Sequence, residues 1–437
     1  MKSNKFITSA LVALGIVSLA GVAQANTIVY LTGSTAARAI IYAAATTSGQ
    51  IFTGTGTVVS SGTGNTGNGA NTIVFEGNIT GVGTVDLDCS YTGSEAGIAA
   101  VANQPLNQSL PLDPNGTGPY PLPGVPPSFL TQASGWTTAA PLSIAVNGQT
   151  TPDLTMADTT QAVSRTPIST YKLTDYGLVG IVPFTFMKGY EATPDQSWND
   201  VVNVTTAEIN QLIAGPFVVN FITGNPLDTD GAYLVGRNLG SGTRVNTLLN
   251  LQYALTQPVD QWSYGATYPS GTPGVLTFGG SYAAGQPLVE IGNDGYDSGG
   301  SVQKVLNVDG TGSSSVLIGY VGISDGANAH VNTVGGPATY LSFNGVYESD
   351  SAVINGNYPY WGQEHLLGNN TESSSSAQGK TGAAIVTGIN AQLVSSGAGT
   401  KGGAVGPTYT AQSVLVPVGA MQATRGTDGG FPSQGTF

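Results

Sequence analysis

The chain has 437 residues, of which 63 are glycine and one is cysteine, and charged residues make up only 8%. The single cysteine, Cys89, excludes an internal disulfide and predicts a buried, small apolar side chain. The formal net charge is −13 and no basic stripe is visible, which argues against nucleic acid as a partner. A small anion is still compatible with this charge, because local hydrogen-bond donors can hold it.

The first 25 residues predict a signal peptide. Lys2 and Lys5 precede an apolar run at residues 6–22, and Ala23-Gln24-Ala25 has the small-x-small pattern that signal peptidase cleaves. The run is short for a membrane-spanning helix, and no later stretch is long and apolar enough to be one. We therefore expect cleavage near Ala25-Asn26 and a periplasmic or secreted protein. The roughly 400 residues that remain suffice for two or three domains.

Strand-like and helix-like segments alternate along the chain, which predicts an α/β architecture. The first strands are predicted at residues 27–31, 72–75, 85–89 and 153–157, and helices follow Gly33-Ser34-Thr35 and Gly93-Ser94. Eight prolines between residues 105 and 127 interrupt regular structure. Residues 104–150 are therefore interpreted as a Pro-rich surface insertion.

The second half of the chain predicts a second lobe and a return to the first. Residues 179–186 give the longest strand signal, which favours a crossing between lobes, and further strands are predicted at 232–236 and 316–323. We expect residues 26–175 in one lobe, 176–338 in the other, and 339–437 as a return to the first lobe plus a tail. The tail is rich in Ser and Gly from Asn369 onward, so residues 371–379 are expected to be mobile, whereas 413–418 have strand character.

The sharpest segment for chemistry runs from Arg237 to Arg244 and reads Arg-Asn-Leu-Gly-Ser-Gly-Thr-Arg, between a predicted strand and a predicted helix. The unpaired backbone N–H groups at a helix start lie at the positive end of the helix dipole and bind anions. Ser241 and Thr243 add hydroxyl groups, Gly242 allows close approach, and Arg237 offers a planar fork for a tetrahedral oxyanion. The alternative is an ordinary capped helix after a glycine turn.

Two more helix starts share this design, and an acidic residue completes the set. Ser34 and Thr35 precede the first helix, and Ser94 precedes the second; each could instead be a simple N-cap, as could Asp158 after the strand 153–157. In open α/β sheets such helix starts converge beyond the carboxyl ends of the strands. A carboxylate there repels an oxyanion unless the anion carries a proton, so Asp158 can distinguish phosphate from sulfate.

The order of these motifs resembles the phosphate-binding proteins of ABC importers, a type-2 periplasmic solute-binding protein family. The motifs are Leu31-Thr32-Gly33-Ser34-Thr35-Ala36, Tyr91-Thr92-Gly93-Ser94-Glu95-Ala96-Gly97, Ala157-Asp158, Val182-Pro183-Phe184, the octet, Ile318-Gly319-Tyr320-Val321-Gly322 and Asn355-Gly356-Asn357-Tyr358-Pro359. The resemblance spans residues 27–367. It implies a two-lobed α/β fold of the type-2 periplasmic-binding-protein kind, with hinge strands that cross between the lobes.

By motif position, the resemblance implies a ligand and a set of contacts. The ligand is inorganic phosphate or a related oxyanion, and the partner is the membrane permease of an ABC transporter. The implied ligand-binding residues are Ser34, Thr35, Ser94, Asp158, Arg237, Ser241, Gly242 and Thr243. The chain departs from the family at Leu239, where the best-known members have an Asp that orients the arginine, and at Glu95, where a small residue is usual.

Other functions find less support in the sequence. His330 and His365 lack metal-ligand spacing, and the loop with Asp294 and Asp297 lacks the glutamate of an EF-hand, so neither a metal nor another cofactor is expected. No nucleophile and base are paired, so we expect a binding protein and no enzyme, a secreted phosphatase-like enzyme being the weaker third interpretation. The alternative from another class is a secreted structural or matrix protein that keeps this fold without a transport role, which the low charge and long tail favour.

Overall fold

The structure is a computed structural model that describes residues 26–61, 72–102, 151–166, 171–265, 278–370, 373–395 and 415–435. It also places two-residue strands at 117–118, 127–128, 137–138, 145–146 and 275–276. The predicted signal peptide lies outside the described residues, as does the insertion at 104–150 apart from four of these short strands.

The described elements alternate between strands and helices. The strands are β1 (Thr27–Gly33), β2 (Thr57–Ser61), β3 (Thr72–Ile79), β4 (Gly83–Ser90), β5 (Thr117–Gly118), β6 (Pro127–Ser128), β7 (Thr137–Thr138), β8 (Ala145–Val146), β9 (Leu154–Ala157), β10 (Thr174–Lys188), β11 (Asn203–Val204), β12 (Phe217–Val218), β13 (Gly231–Val235), β14 (Trp262–Tyr264), β15 (Val275–Leu276), β16 (Leu288–Glu290), β17 (Gly295–Tyr296), β18 (Ser315–Gly322), β19 (Thr339–Phe343), β20 (Trp361–Gly368), β21 (Ala423–Thr424) and β22 (Ser433–Gln434).

The helices are α1 (Arg38–Thr46), α2 (Ser94–Val101), α3 (Gln196–Asp200), α4 (Thr206–Ala214), α5 (Asn220–Thr223), α6 (Gly242–Asn250), α7 (Gly299–Leu306), α8 (Ile323–Val331), α9 (Asp350–Ile354) and α10 (Ala377–Ser395). Helix α4 shows why the local sequence suffices here. Thr205 and Glu208 form a reciprocal capping box at its start, and Gly215 ends it. Both ends of this helix are therefore encoded in the residues that flank it.

One large mixed sheet organises the chain into two lobes. In the first lobe the strand order is β20-β9-β1-β4-β3-β2, and β1 pairs in parallel with both β4 and β9. In the second lobe β12, β13 and β18 are neighbours, β13 and β18 pair in parallel, and β11 pairs with β19. The α/β class predicted from the alternation of elements is confirmed.

Strand β10 joins the two lobes. Its residues from Thr174 to Pro183 pair with β20 of the first lobe, and those from Phe184 to Lys188 pair with β18 of the second. Residues 179–188 are all buried, and apart from Thr185 and Lys188 they have no polar side chain, so this part of the strand is a nearly continuous apolar run rather than an alternation. The crossing strand predicted at 179–186 is thus present and longer than expected, while the lobe boundaries at 175/176 and 338/339 stay predictions.

Two of the three apolar cores in the described residues include side chains of the crossing strand. The larger one runs through both lobes and includes the rings of Phe184, Phe186 and Tyr360, of which Phe186 and Tyr360 stack 4.8 Å apart. The smaller one lies in the second lobe under α7 and α8 and includes Val302 and Leu306. Because the larger core is continuous across β10, the lobes share apolar packing as well as chain connections.

Residues 371–379 were predicted to be mobile. This prediction is wrong for residues 377–379, because they form the start of α10, which is 19 residues long. Its glycines permit close packing against the first lobe. A Cβ on Gly382 would lie 3.2 Å from the ring of Tyr176, and one on Gly388 would lie 2.6 Å from Ile51. The helix is therefore held by tertiary contact with small residues at the interface, in a segment of low helix propensity.

The C-terminal segment, residues 415–435, docks on the junction between the lobes. Val416 and Ile181 exchange backbone hydrogen bonds of 2.8 and 2.9 Å on the crossing strand. Of the strand predicted at 413–418, the described residues show only this single bridge, and a 3-10 helix begins at Val418. Arg425 places its guanidinium 3.6 Å above the ring of Trp361 and donates to the carbonyl oxygens of Trp361, at 2.8 Å, and Pro359. Asp428 accepts from the backbone N–H and hydroxyl of Thr160.

Replacing Arg425 with alanine is expected to lower the free energy of unfolding by about 2–4 kcal/mol. The side chain is 7% exposed, and burial lowers its pKa to about 9. Its removal takes a donor from two carbonyl groups and uncovers the Trp361 ring. Urea denaturation measures the effect, with Lys172→Ala as an exposed, charge-matched control. If Arg425→Ala unfolds at the same urea concentration as wild type, the contacts of Arg425 with Trp361 and Pro359 do not stabilise the fold.

Candidate functional site

Four of the predicted site residues follow the carboxyl ends of parallel strands. Ser34 follows β1, Ser94 opens α2 after β4, Asp158 follows β9, and Arg237 follows β13. All four are buried, with at most 3% of each residue exposed. Strands β1, β4 and β9 run parallel in the first lobe, so Ser34, Ser94 and Asp158 lie at one edge of that part of the sheet. Strand β13 runs in the opposite direction, because the pairs β18–β10, β10–β20 and β20–β9 are all antiparallel, so Arg237 faces this edge from the second lobe.

The two lobes meet at this edge through two glycine turns. Gly93 has a φ of +106°, and a Cβ there would lie 2.6 Å from the carbonyl oxygen of Gly240 in the opposite lobe. The same oxygen accepts a hydrogen bond of 3.2 Å from the backbone N–H of Ala96. The start of α2 and the turn before α6 are therefore in direct contact.

Ser94, Asp158 and Gly242 converge on one point. A Cβ on Gly242 would overlap Oδ1 of Asp158 and lie 2.6 Å from Oγ of Ser94. The backbone N–H of Asp158 donates to Oγ of Ser94 at 3.3 Å, and the Asp158 carbonyl accepts from Nδ2 of Asn246 at 2.6 Å. Ser94, Asp158 and Gly242 belong to the set of site residues predicted from the sequence, and the structure brings these three together from the two lobes.

The Asp158 carboxyl is buried and only partly satisfied. Burial raises its pKa to about 6, while the Ser94 hydroxyl and the Arg237 charge act in the opposite direction. Its Oδ1 atom has no hydrogen-bond partner among the described residues. A buried acceptor without a donor is costly, so this oxygen is suited to receive a hydrogen from a ligand.

Arg237 is oriented by backbone carbonyl groups. Nε donates to the carbonyl of Tyr296 at 3.1 Å and Nη2 to the carbonyl of Asp297 at 2.9 Å. Burial lowers its pKa, against the charges of Asp325, Asp297 and Asp158. The resembled family has an aspartate at the position of Leu239 to orient the arginine. In this chain the carbonyl groups at residues 296–297 orient Arg237 instead.

The rest of the octet forms the start of α6. Ser241 is the N-cap, its Oγ accepting from the N–H of Arg244 at 3.3 Å, and Thr243 is 7% exposed beside it. The Arg244 guanidinium donates to the carbonyl oxygens of Arg237 and Asn293, both at 3.0 Å. Arg244 therefore holds the turn that carries Arg237.

Thr35 and Glu95 lie at the margin of the site. Thr35 is half-buried, and its carbonyl accepts from Nε of Arg38 at 2.9 Å. Glu95 accepts from the hydroxyls of Thr159 and Ser164, and burial raises its pKa to about 7. Glu95 therefore braces the loop after Asp158 and points its carboxyl at that loop.

Sequence reasoning missed one buried acid, Glu364. It lies on β20 and is 0% exposed; Oε2 accepts from the Ser34 hydroxyl at 3.2 Å, and Oε1 has no partner within the described structure. No signal in the local sequence marks it, because Ser34 and Glu364 are 330 residues apart.

The described residues contain no group of three or more His, Cys, Asp or Glu side chains that could hold a metal. None of the described helices is long and apolar enough to cross a membrane.

Comparison with known proteins finds similar solved structures only. No protein-family model matches the chain, and no curated protein matches it either. A putative phosphate ABC transporter substrate-binding protein from Clostridium perfringens, solved with bound phosphate, aligns over 84% of this chain and 97% of that one, with 12% identity and a TM-score of 0.43. An ABC-type phosphate transport receptor from Vibrio cholerae aligns over 85% and 98%, with 11% identity and a TM-score of 0.38.

A possible phosphate binding protein from Planctomyces limnophilus aligns over 79% of this chain and 82% of that one, with 9% identity and a TM-score of 0.35. Likenesses at these identities and TM-scores do not bear on the ligand.

Proposed function

We propose that this protein captures inorganic phosphate between its two lobes, as the exported solute-binding component of an ABC-type uptake system. The observation that carries the proposal is the convergence of Ser94, Asp158 and Gly242 from opposite lobes on one point. The predicted signal peptide at residues 1–25 supports export, and the resemblance of the motifs supports a permease as partner. The same residues, with Ser34, Thr35, Arg237, Ser241 and Thr243, are the proposed contacts.

The donors around this point suit a tetrahedral anion. The first backbone N–H groups of α6, starting at Gly242, have no partners within the helix and lie at its positive end. Arg237 contributes a full positive charge that already acts on Asp158. Hydroxyl groups from Ser94 and Thr243 complete a shell of donors from both lobes. An anion held in this way links the lobes and stabilises their closed arrangement.

Asp158 makes a proton on the ligand a condition of binding. An ionised carboxylate and a fully deprotonated anion are both acceptors, so they repel each other in a buried site. Phosphate at neutral pH still carries a proton, whereas sulfate carries none. The O–H of phosphate would satisfy Oδ1 of Asp158, which lacks a partner among the described residues.

Calorimetry on protein freed of bound ligand should show that the wild type binds phosphate and arsenate and rejects sulfate by about a hundredfold or more. Asp158→Asn should narrow this gap, because an amide NH₂ can donate to any oxyanion. The wild-type gap should also narrow below about pH 6, where Asp158 takes up a proton of its own. All titrations use one salt concentration, and circular dichroism checks that the variant is folded.

Equal wild-type affinity for sulfate and phosphate at pH 7 would refute the role of Asp158. Failure of the folded wild type to bind any of the three anions would refute the function itself and favour the structural or matrix interpretation.

A further inference from the structure

A second buried carboxyl group shares the candidate site. Glu364 on β20 lies directly across from Asp158, because His365 pairs with Ala157 in the antiparallel register of β20 and β9. Residues opposite each other in such a ladder place their side chains on the same face of the sheet. Glu364 also reaches Ser34 at the end of β1, through Oε2. Glu364 therefore hydrogen-bonds to the end of β1 and lies beside the end of β9, two of the three strand ends that the first lobe contributes.

The same face is covered by α6. A Cβ on Gly362, two residues before Glu364, would lie 2.7 Å from the amide of Asn246, and that amide donates to the carbonyl of Asp158. Glu364 thus lies on the sheet face that α6 covers, in a space where its Oε1 atom has no partner. A carboxyl group left in this state is expected either to be neutral or to face a ligand.

The charges nearby favour the neutral acid. Burial first, and then the negative charge of Asp158, raise the pKa of Glu364 well above its usual value, and the Ser34 hydroxyl opposes this only in part. The guanidinium of Arg244 on α6 donates to the backbone carbonyl oxygens of Arg237 and Asn293. The ionisable groups on elements that contact β20 or carry the site include Asp158, Arg237, Glu95, Tyr91, Arg38, Arg244, Lys380, Asp175, Tyr176, Lys188 and Asp428.

We propose that Glu364 is a further ligand-contacting residue, whose carboxylic acid donates its O–H to the bound oxyanion beside Asp158. This inference rests on the proposed function. The two carboxyl groups then have opposite roles: Asp158 accepts a hydrogen from the ligand, and Glu364 gives one. Such a pair binds a partly protonated tetrahedral anion, which offers both a donor and acceptors on adjacent oxygens.

Phosphate calorimetry at pH 7 with two variants tests the donor. Glu364→Gln keeps a donor at every pH and should bind within a few-fold of wild type, whereas Glu364→Leu removes it and should bind about ten- to a hundredfold more weakly. As the pH rises through the Glu364 pKa, wild type should lose affinity relative to Glu364→Gln. The ratio of the two dissociation constants cancels the titration of phosphate itself.

The matched control is Glu191→Gln. Burial, then the charges of Asp195, Asp230 and Asp309, raise the pKa of Glu191 to about 7, and it lies in the second lobe after β10. The ratio of the dissociation constants of wild type and Glu191→Gln for phosphate should therefore stay constant as the pH rises.

Each result decides the inference. An unweakened Glu364→Leu, a Glu364→Gln as weak as Glu364→Leu, or a wild type that gains on Glu364→Gln as pH rises would overturn the donor role while leaving phosphate capture intact. A wild type that binds no phosphate would overturn both. Should Glu364→Leu fail to fold, the direction of the pH trend between wild type and Glu364→Gln still decides.

Discussion

Arg237→Ala is expected to weaken phosphate binding by about a thousandfold or more, equivalent to about 4 kcal/mol. The substitution removes the buried guanidinium whose charge acts on Asp158 and leaves that carboxylate to repel the ligand. It also takes a donor from the carbonyl groups of Tyr296 and Asp297. Calorimetry with phosphate measures the loss, and urea denaturation reports whether the variant is folded.

Two further variants separate binding from folding. Arg237→Lys keeps a positive charge and loses the fork, so we expect a folded protein that binds phosphate about ten- to a hundredfold more weakly. Lys304→Ala removes an exposed charge from α7 in the same lobe and should bind as wild type does. Unchanged affinity in a folded Arg237→Ala protein would place the anion elsewhere.

Gly242→Ala is expected to weaken phosphate binding by more than about a hundredfold, because the new methyl group would occupy the space of the Asp158 carboxyl. Helix propensity alone predicts the opposite sign for stability, since alanine is better than glycine in a helix by about 1 kcal/mol. A loss of phosphate binding would therefore be caused by the clash of the new methyl group with Asp158 of the opposite lobe. Calorimetry of the variant measures it.

Gly300→Ala is the matched control for this substitution. Gly300 lies in the first turn of α7, where a Cβ would meet nothing closer than 3.9 Å. We expect the control to bind phosphate normally and to be as stable as wild type or slightly more so. Normal binding by Gly242→Ala would show that the start of α6 is not part of the site.

Local sequence was sufficient for the helix starts of the site. Ser34, Ser94 and Ser241 each follow a strand and precede a helix, and strand, glycine turn and cap are all encoded within a few residues. Their gathering at one site was predicted only from the general rule that helix starts in open α/β sheets converge beyond the carboxyl ends of the strands. That rule states where the residues gather and leaves out which other side chains join them.

Glu364 and the orientation of Arg237 show why the rest could not be predicted. Glu364 reaches Ser34 only through the pairing of β20 with β9, which joins distant parts of the chain. The partners of Arg237 are backbone carbonyl oxygens at residues 296 and 297, and any sequence in that turn supplies them. Helix α10 was missed because its stability depends on contact between glycines and Tyr176 or Ile51.

Under the proposed function, the docked C-terminal segment has a kinetic consequence for the release of a bound solute. It is attached to the crossing strand at Ile181, to the first lobe at Thr160, and, through Gly429, to Leu249 at the end of α6. A rotation that separates the lobes must detach at least one of these attachments. The residence time of a captured solute would then depend on this segment as well as on the contacts in the site, and delivery would wait for its displacement.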